Sequence, residues 1–201
     1  MGHSTLLDTK IMKNVIVVAH PDDESLWASS LLLYYPGNWT IICCSRPQAP
    51  GEELRCSKFF HACVFLGAGH GVILDHADNG INKPLENLYI NLQEYDHIFT
   101  HNNVGEYGHP HHKQVHEYIK SKYPDKKQTY FGYTRDGYIG TEIELSPSNT
   151  MTKLKALRAY DYPYKGKPYY ETLLNWTKKL PYFKLYKESF IGDLPDILDK
   201  T

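Results

Sequence analysis

The stretch Val15-Ile16-Val17-Val18-Ala19-His20-Pro21-Asp22-Asp23-Glu24 decides the fold. Its first five residues are apolar and mostly β-branched, which predicts a strand buried on both faces, as in a parallel sheet. Proline disfavours the helical region for the residue before it, so the chain leaves the strand extended and then turns. The stretch therefore predicts a buried parallel strand with an imidazole and three carboxylates at its carboxyl end.

Strands and helices alternate outward from this stretch. Further strands are predicted over Trp39–Ser45, Val72–Leu74, His97–Thr100 and Gln128–Tyr133, and helices over Ser25–Tyr35, Pro50–Leu66, Pro110–Lys122 and Glu171–Lys178. The alternation implies right-handed crossovers and an α/β fold, a Rossmann-like, mostly parallel sheet with helices on both faces. We expect one domain over residues 1–201, with a flexible segment at 1–12 and a small Tyr/Pro-rich C-terminal appendage at 160–201.

Composition narrows the classes of function. The net charge is −1, so no basic excess favours binding to a nucleic acid. No apolar run approaches the roughly 20 residues that cross a bilayer, and the first residues do not resemble a secretory signal. The four cysteines form no CxxC pair, which predicts buried free thiols and a cytoplasmic protein. The 11 histidines and 17 tyrosines suggest a metal site and an aromatic-lined pocket.

Two His-rich segments follow predicted strands. Besides His20, five histidines occur within sixteen positions, at 101, 109, 111, 112 and 116. Because ligands of such sheets bind beyond the carboxyl ends of the strands, both segments are expected at one edge. Together they supply two imidazoles and a carboxylate with one coordination position open, as in a catalytic zinc site. An alternative pairs His112 with His116, which share a helix face, on one ion.

A simpler explanation exists for the first segment. Acidic residues from Asp22 onward are expected to cap the helix that follows, favoured by its dipole. Capping requires one acid, however, and not three beside a histidine. The pattern therefore favours a functional site over a cap alone.

Both motifs resemble the signatures of a known superfamily. Ala19–Glu24 and Tyr107–His112 are similar to the two motifs of the LmbE-like / GlcNAc-PI de-N-acetylase (PIG-L) superfamily, zinc-dependent enzymes that remove N-acetyl groups from glucosamine-type sugars. Weaker likenesses include the helix from Arg55 to Gly67, the loop Leu74–Gly80, and a C-terminal pattern of Lys153, Ala156 and Tyr160. The resemblance spans roughly residues 14 to 160.

The resemblance implies a role for each matching residue. It implies metal ligands at His20, Asp23 and His112, a general base at Asp22, an acid or oxyanion partner at His109, an oxyanion partner at Tyr107, and sugar contacts at Arg55 and Asp78. For the last two, a surface arginine paired with Glu52 and an acid in a turn are the plainer alternatives. The implied cofactor is Zn2+, with Fe2+ as an alternative that the ligand types allow.

Three departures from the family pattern concern the substrate more than the metal. His111 stands where the family usually has an Asp that is thought to tune the neighbouring catalytic histidine. Lys58 replaces a usual Glu, and Asp161-Tyr162 replaces a common Ser-Gln. None of these departures removes an implied ligand.

The expected function is hydrolysis of an N-acetyl group from an N-acetylglucosamine-type sugar or conjugate by metal-activated water. The partner would be a small amino sugar, and the sequence leaves open the oligomeric state, although family members are often homo-oligomers. One alternative is a catalytically inactive sugar- or metal-binding protein; another is hydrolysis of a different amide or of a phosphate ester, although no Gly-rich loop or basic cluster is evident. The aromatic residues after Tyr160 are expected mainly to pack, with part of the set available as a pocket wall.

Overall fold

The structure, a computed structural model, describes residues 12–35, 37–48, 53–78 and 83–195. Several sequence predictions lie wholly or partly outside these residues. They are the flexible segment 1–12, nearly all of which is undescribed, the helix start at 50–52, the turn residue 36, and residues 79–80 of the loop. No helix in the described ranges has the length and apolar character that crossing a bilayer requires.

The strands in the described ranges are listed in chain order. They are β1 (Asn14–Val18), β2 (Trp39–Pro47), β3 (His70–Asp78), β4 (His97–Thr100), β5 (Lys127–Phe131), β6 (Tyr133–Thr134), β7 (Gly137–Tyr138), β8 (Thr141–Glu144), β9 (Pro163–Tyr164), β10 (Lys167–Pro168) and β11 (Lys187–Ile191). The helices are α1 (Asp23–Trp27), α2 (Ser29–Tyr34), α3 (Glu53–Leu66), α4 (Pro110–Lys122), α5 (Pro147–Arg158) and α6 (Tyr169–Thr177).

The central sheet has the strand order β3-β2-β1-β4-β5-β11-β8. The first five strands in that order are parallel, and β11 runs antiparallel to both of its neighbours. This confirms the predicted Rossmann-like, mostly parallel sheet. The chain order reverses between β1 and β4, so these neighbours define the topological switch point, where α/β proteins bind their ligands.

Strand β1 is the centre of the core. Residues 15–19 have no exposed surface. Ile16 and Val18 pack on one face with residues of α1, α2, α3 and α5, while Val15 and Val17 pack on the other with α4 and the segment 85–92. Burial on both faces explains why the strand is an unbroken apolar run rather than an alternating one.

Several elements differ from their predicted extent, and two of the differences have a clear structural cause. The predicted helix Ser25–Tyr35 is divided at Ala28 into α1 and α2. The backbone N–H and hydroxyl of Ser30 both donate to Glu188 Oε2, at 2.9 and 2.7 Å, so a carboxylate from β11 caps the second helix. The predicted short strand at Val72–Leu74 extends through Asp78, because it stays paired with β2 beyond a register shift between Cys43 and Ser45.

The C-terminal segment also contributes to the sheet. Strand β11 pairs with β5 and β8, so part of the predicted appendage lies within the central sheet. The β9–β10 hairpin and helix α6 precede β11 in the same segment and are not part of the central sheet. This arrangement places α6 beside the carboxyl ends of the parallel strands, where its side chains line a cavity described below.

Candidate active site

The two sequence motifs meet at the switch point. The backbone N–H of Ala19, at the end of β1, donates to Nε2 of His101, just after β4, over 2.9 Å. Nδ1 of His101 lies 2.9 Å from Glu106 Oε2. Because Nε2 accepts from a backbone N–H, Nδ1 carries the ring proton and donates to the carboxylate. Both nitrogens of His101 are therefore used in joining the two motifs.

The three implied metal ligands lie together. Asp23 Oδ2 lies 3.3 Å from Nδ1 of His20 and 3.4 Å from Nε2 of His112. The two imidazole rings have centroids 5.4 Å apart. All three side chains are buried. The structure thus places a carboxylate between two imidazoles, which is a donor set that zinc and iron(II) both accept.

The surroundings of His112 fit a bound cation. Its Nδ1 is hydrogen-bonded to Glu106 Oε2, and its Nε2 is buried without a hydrogen-bond partner among the described residues. Burial lowers the pKa of His112, but Asp23 and Glu106 outweigh that effect and raise it to about 10. Two buried carboxylates therefore attract positive charge at this point, and a nitrogen with no partner faces one of them. A carboxylate behind a ligating histidine is also the usual support of a metal site.

Glu106 is a site residue that sequence reasoning missed. It accepts from His101 and His112 through Oε2 and from the backbone N–H of Asn102 through Oε1, at 3.0 Å. Burial raises the pKa of Glu106, but the two imidazoles outweigh it and lower the pKa to about 2. Its backbone has φ 52°, unusual for a residue other than glycine. Its place directly before the second motif was the only available signal.

The implied trio of His20, Asp23 and His112 is not itself among the groups of described residues whose ligand atoms all lie within 4.8 Å of one another. Three sets have ligand atoms within 4.8 Å of one another: His20 with His109 and His112, His20 with Asp78 and His111, and Asp23 with His101 and His112. His116 is in none of these sets, and its Nδ1 lies 2.9 Å from the carbonyl oxygen of His101. The alternative in which His112 and His116 share one ion therefore has no support in the geometry.

Asp22, the implied general base, is held in a strained turn. Its φ is 105°, in the left-handed region, at the start of α1. Its Oδ2 accepts from Nη2 of Arg55 at 2.6 Å and from the hydroxyl of Tyr169 at 2.9 Å. Burial raises the pKa of Asp22 to about 6, against the opposing effect of Arg55. The structure thus brings an arginine and a tyrosine from distant helices onto one carboxylate.

The two residues implied to contact the sugar both line the cavity. Arg55 also donates from Nε to the carbonyl oxygen of Pro21, at 3.0 Å, so its guanidinium is fixed by two contacts to the first motif. Glu52, its alternative partner, lies outside the described residues. Asp78 ends β3, and its Oδ2 lies 3.8 Å from Nε2 of His20.

His109 and Tyr107 flank the same cluster. Nδ1 of His109 accepts the backbone N–H of His111 at 3.2 Å, so the side chain caps α4 and the neutral ring carries its proton on Nε2. Burial, together with His20 and His112, lowers the pKa of His109 to about 2. Burial also raises the pKa of Tyr107 well above its usual value. Both side chains are therefore neutral hydrogen-bond donors.

These side chains surround one cavity of about 290 Å³. Its polar lining includes His20, Asp22, Asp23, Asp78 and His109. Its aromatic lining comes from Tyr107 and from the C-terminal segment, with Tyr164, Tyr169 and Trp176. Other aromatic residues of that segment, Tyr160 and Tyr162, are buried in the core. The segment therefore both packs and lines the cavity.

The fold and site define an α/β protein with a candidate metal centre at its switch point. Residues 15–123 match the family of GlcNAc-PI de-N-acetylases, PIG-L. Because this match covers more than half of the chain, the protein belongs to that family.

A curated relative and several solved structures are similar to this chain. An uncharacterized protein of Acanthamoeba polyphaga mimivirus is 28% identical over 138 residues, covering 58% of this chain, and the chain spans only 60% of that relative's length. An N,N′-diacetylchitobiose deacetylase from Pyrococcus horikoshii, solved with an inhibitor, is 15% identical with a TM-score of 0.58, covering 92% of this chain and 85% of its own.

Two further solved structures are described as deacetylases. The A40926 pseudoaglycone deacetylase is 15% identical with a TM-score of 0.50, covering 92% of this chain and 99% of its own. A deacetylase of teicoplanin biosynthesis, in complex with teicoplanin, is 10% identical with a TM-score of 0.51, covering 92% and 100%. Identity at this level establishes a shared fold.

Proposed function

We propose that this protein is a metal-dependent N-deacetylase that hydrolyses the acetamide of an N-acetylglucosamine-type sugar or conjugate. The observation that carries the proposal is that Asp22 lines the same cavity as His20 and Asp23, with His112 in contact with Asp23. The family membership supports the reaction, and the names of the structural neighbours are consistent with it.

The residues that would hold the metal are His20, Asp23 and His112. When bound, a zinc ion, or iron(II) as the alternative, supplies a Lewis acid for the carbonyl and lowers the pKa of a water molecule. Glu106 keeps Nδ1 of His112 protonated by accepting from it, so that Nε2 presents its lone pair toward Asp23. The chain thereby provides two imidazoles and one carboxylate with the cavity side open.

The chain's other residues supply the proton transfers and the stabilisation of charge. Asp22 takes a proton from the attacking water and later returns it to the departing amine. Arg55 and Tyr169 hold the Asp22 carboxylate at the cavity wall. Nε2–H of His109 and the hydroxyl of Tyr107 donate to the oxyanion. A neutral His109 suits this role better than the role of general acid.

The aromatic lining of the cavity suits binding of a sugar ring. Ring faces such as those of Tyr169 and Trp176 suit the apolar C–H surface of a pyranose, and the carboxylate of Asp78 accepts from sugar hydroxyls. The volume of about 290 Å³ suits one sugar ring, with the remainder of a conjugate extending outward. The four cysteines are buried free thiols, in keeping with the predicted cytoplasmic location.

The test is acetate release from a panel of N-acetylglucosaminyl conjugates, with and without a chelator. We expect release from at least one conjugate, lost with chelator and restored by zinc. Saturable binding of a conjugate without any release of acetate would instead identify an inactive sugar-binding protein.

A further inference from the structure

His111, which replaces the usual acid of the second motif, makes two short contacts. It is 1% exposed at the first turn of α4. Its Nε2 lies 2.6 Å from the carbonyl oxygen of Lys83, and its Nδ1 lies 2.9 Å from Nε2 of His20. Both ring nitrogens are therefore used, one on the backbone and one on an implied metal ligand.

The Lys83 carbonyl determines which ring nitrogens of His111 and His20 carry a proton. A carbonyl oxygen only accepts, so Nε2 of His111 must carry a proton and donate it to Lys83. In a neutral imidazole the other nitrogen, Nδ1, is then an acceptor, and Nε2–H of His20 donates to it. The lone pair of His20 is left on Nδ1, which is the nitrogen that lies 3.3 Å from Asp23 Oδ2.

We propose that His111 is a positioning residue that connects the Lys83 carbonyl to His20 through two successive hydrogen bonds, which we call the relay. The relay fixes the tautomer in which His20 binds the metal through Nδ1. The inference rests on the metal site of the proposed function. A partner that fixes the tautomer and orientation of a ligating histidine commonly affects metal affinity by about 10–100-fold.

The neighbouring groups are consistent with a relay to His20 rather than to His109. Nδ1 of His109 already accepts the backbone N–H of His111, and the two rings meet edge to face with centroids 5.1 Å apart. Asp78 lies 3.8 Å from Nε2 of His20 and 4.0 Å from Nδ1 of His111, beyond hydrogen-bond distance. The sequence departure therefore acts on the metal ligand and not on the neighbouring catalytic candidate.

The same three side chains, His20, Asp78 and His111, also form a potential metal-binding group. The separation of 2.9 Å between the two imidazole nitrogens is a hydrogen-bond distance, and the outer nitrogen of His111 is occupied by a carbonyl. The relay therefore predicts one zinc ion per chain and not two.

The experiment compares two substitutions of His111 that differ in whether the new side chain can accept a hydrogen bond. His111→Leu fills the space but cannot accept a hydrogen bond, whereas the side-chain oxygen of His111→Asn stands near the position of Nδ1 and can accept from His20. Zinc affinity is measured by competition with a chromophoric chelator, and zinc content by elemental analysis. His61→Leu, at an exposed position of α3, is the matched control for the loss of a histidine.

We expect one zinc ion per chain, a loss of affinity of about 10–100-fold in His111→Leu, and a loss of less than about 3-fold in His111→Asn and His61→Leu. Equal affinities of the Leu and Asn variants, or two zinc ions per chain, would overturn the inference alone. A wild-type chain that binds no divalent metal would overturn the proposed function and this inference with it.

A direct readout of the tautomer is made on the wild-type protein. In the wild-type protein labelled with 15N-histidine, the ring shifts distinguish protonated from unprotonated nitrogens, and His20→Gln assigns the His20 signals by their loss. The relay predicts a proton on Nε2 of His20 and none on Nδ1. A proton on Nδ1 of His20 in the zinc-loaded protein contradicts it.

Discussion

Nη2 of Arg55, on α3, lies 2.6 Å from Oδ2 of Asp22, in the turn after β1. The side chains are largely buried, with 11% and 5% of their surface exposed, so solvent screens this pair only weakly. The arginine thereby holds the side chain of Asp22, whose backbone has a left-handed conformation, at the cavity. In the proposed mechanism, Arg55 therefore positions the general base Asp22, in addition to any contact with the sugar.

Replacing Asp22 by Asn tests the general base. The amide cannot take a proton, so we expect kcat to fall by about 10²–10⁴-fold, while zinc content stays at the wild-type level because Asp22 is not among the implied ligands. Acetate release and elemental analysis measure the two effects. Asp75→Asn, which removes an exposed carboxylate, serves as control. Near-normal turnover in Asp22→Asn would refute the assignment.

Tyr169→Phe removes the second hydrogen bond to the same carboxylate. The ring remains as part of the cavity wall, so the effect should be in kcat rather than in KM. A hydrogen bond to a charged group contributes about 1.5–3 kcal/mol, which corresponds to a loss of roughly 10–100-fold. Tyr89→Phe, at an exposed tyrosine, should leave both parameters unchanged. A change confined to KM would show that Tyr169 contacts the sugar alone.

Glu106→Gln tests the support behind His112. Both imidazoles contact Oε2 and the Asn102 N–H contacts Oε1, so the amide nitrogen of a glutamine must face N–H groups on one side or the other. The network that supports His112 is therefore weakened. We expect zinc affinity to fall by about 10–100-fold, as for other carboxylates behind ligating histidines. Glu117→Gln, an exposed acid on α4, is the comparison and should bind zinc like the wild type. If both variants bind zinc equally well, Glu106 has only a structural part.

Metal removal should change stability as well as activity. Two buried carboxylates, Asp23 and Glu106, lose the positive charge that a cation supplies, so Tm should fall on dialysis against chelator. Zinc at about a thousand times its Kd should raise the free energy of unfolding by roughly 4 kcal/mol. Differential scanning calorimetry measures the shift, and His112→Ala should abolish it. A Tm that zinc does not change would argue against a metal centre formed by these residues.

The buried pair of Lys153 and Glu188 predicts a large effect on folding. Nζ of Lys153 lies 2.5 Å from Glu188 Oε1 and 2.9 Å from the carbonyl oxygen of Leu26, with both side chains almost fully buried. Lys153→Met leaves Glu188 buried without its cation, which costs about 3–5 kcal/mol. Chemical unfolding measures the loss.

Two further variants serve as controls for the loss of stability in Lys153→Met. Lys187→Met breaks a more exposed pair with Glu142 and should destabilise the protein much less than Lys153→Met does, because solvent screens an exposed pair. The double variant Lys153→Met with Glu188→Leu removes both buried charges and should recover part of the loss. A single Lys153→Met variant as stable as the wild type would show that Glu188 finds another partner.

Local sequence signals predicted much of the framework. The strand His97–Thr100 and the helix Pro110–Lys122 have the predicted bounds, because proline at the first helical position and a short β-branched or aromatic run are strong local determinants. Gly67 has φ 78° at the end of α3, as a glycine closing a helix should. The motif residues from β1 and β4 also lie at one sheet edge, as their positions after the strands predicted.

Long-range contacts could not be read in the same way. The break between α1 and α2 depends on Glu188, which is 158 residues from Ser30. Tyr169 reaches Asp22 across 147 residues, and the carbonyl of Lys83 meets His111 across 28. No periodicity marks these pairs, since each contact follows from where whole elements pack.

The amino-acid sequence alone determined the alternation of the first five strands with their helices, the residues that flank the switch point, and the family resemblance, because each of these depends on patterns within short stretches. Only the tertiary structure decided which partners those residues have: Arg55 and Tyr169 on Asp22, Glu106 on His112, and His111 on His20. The physical reason is that hydrogen-bond partners of buried polar groups are chosen by the packing of the whole domain, which minimises unsatisfied groups over all elements at once.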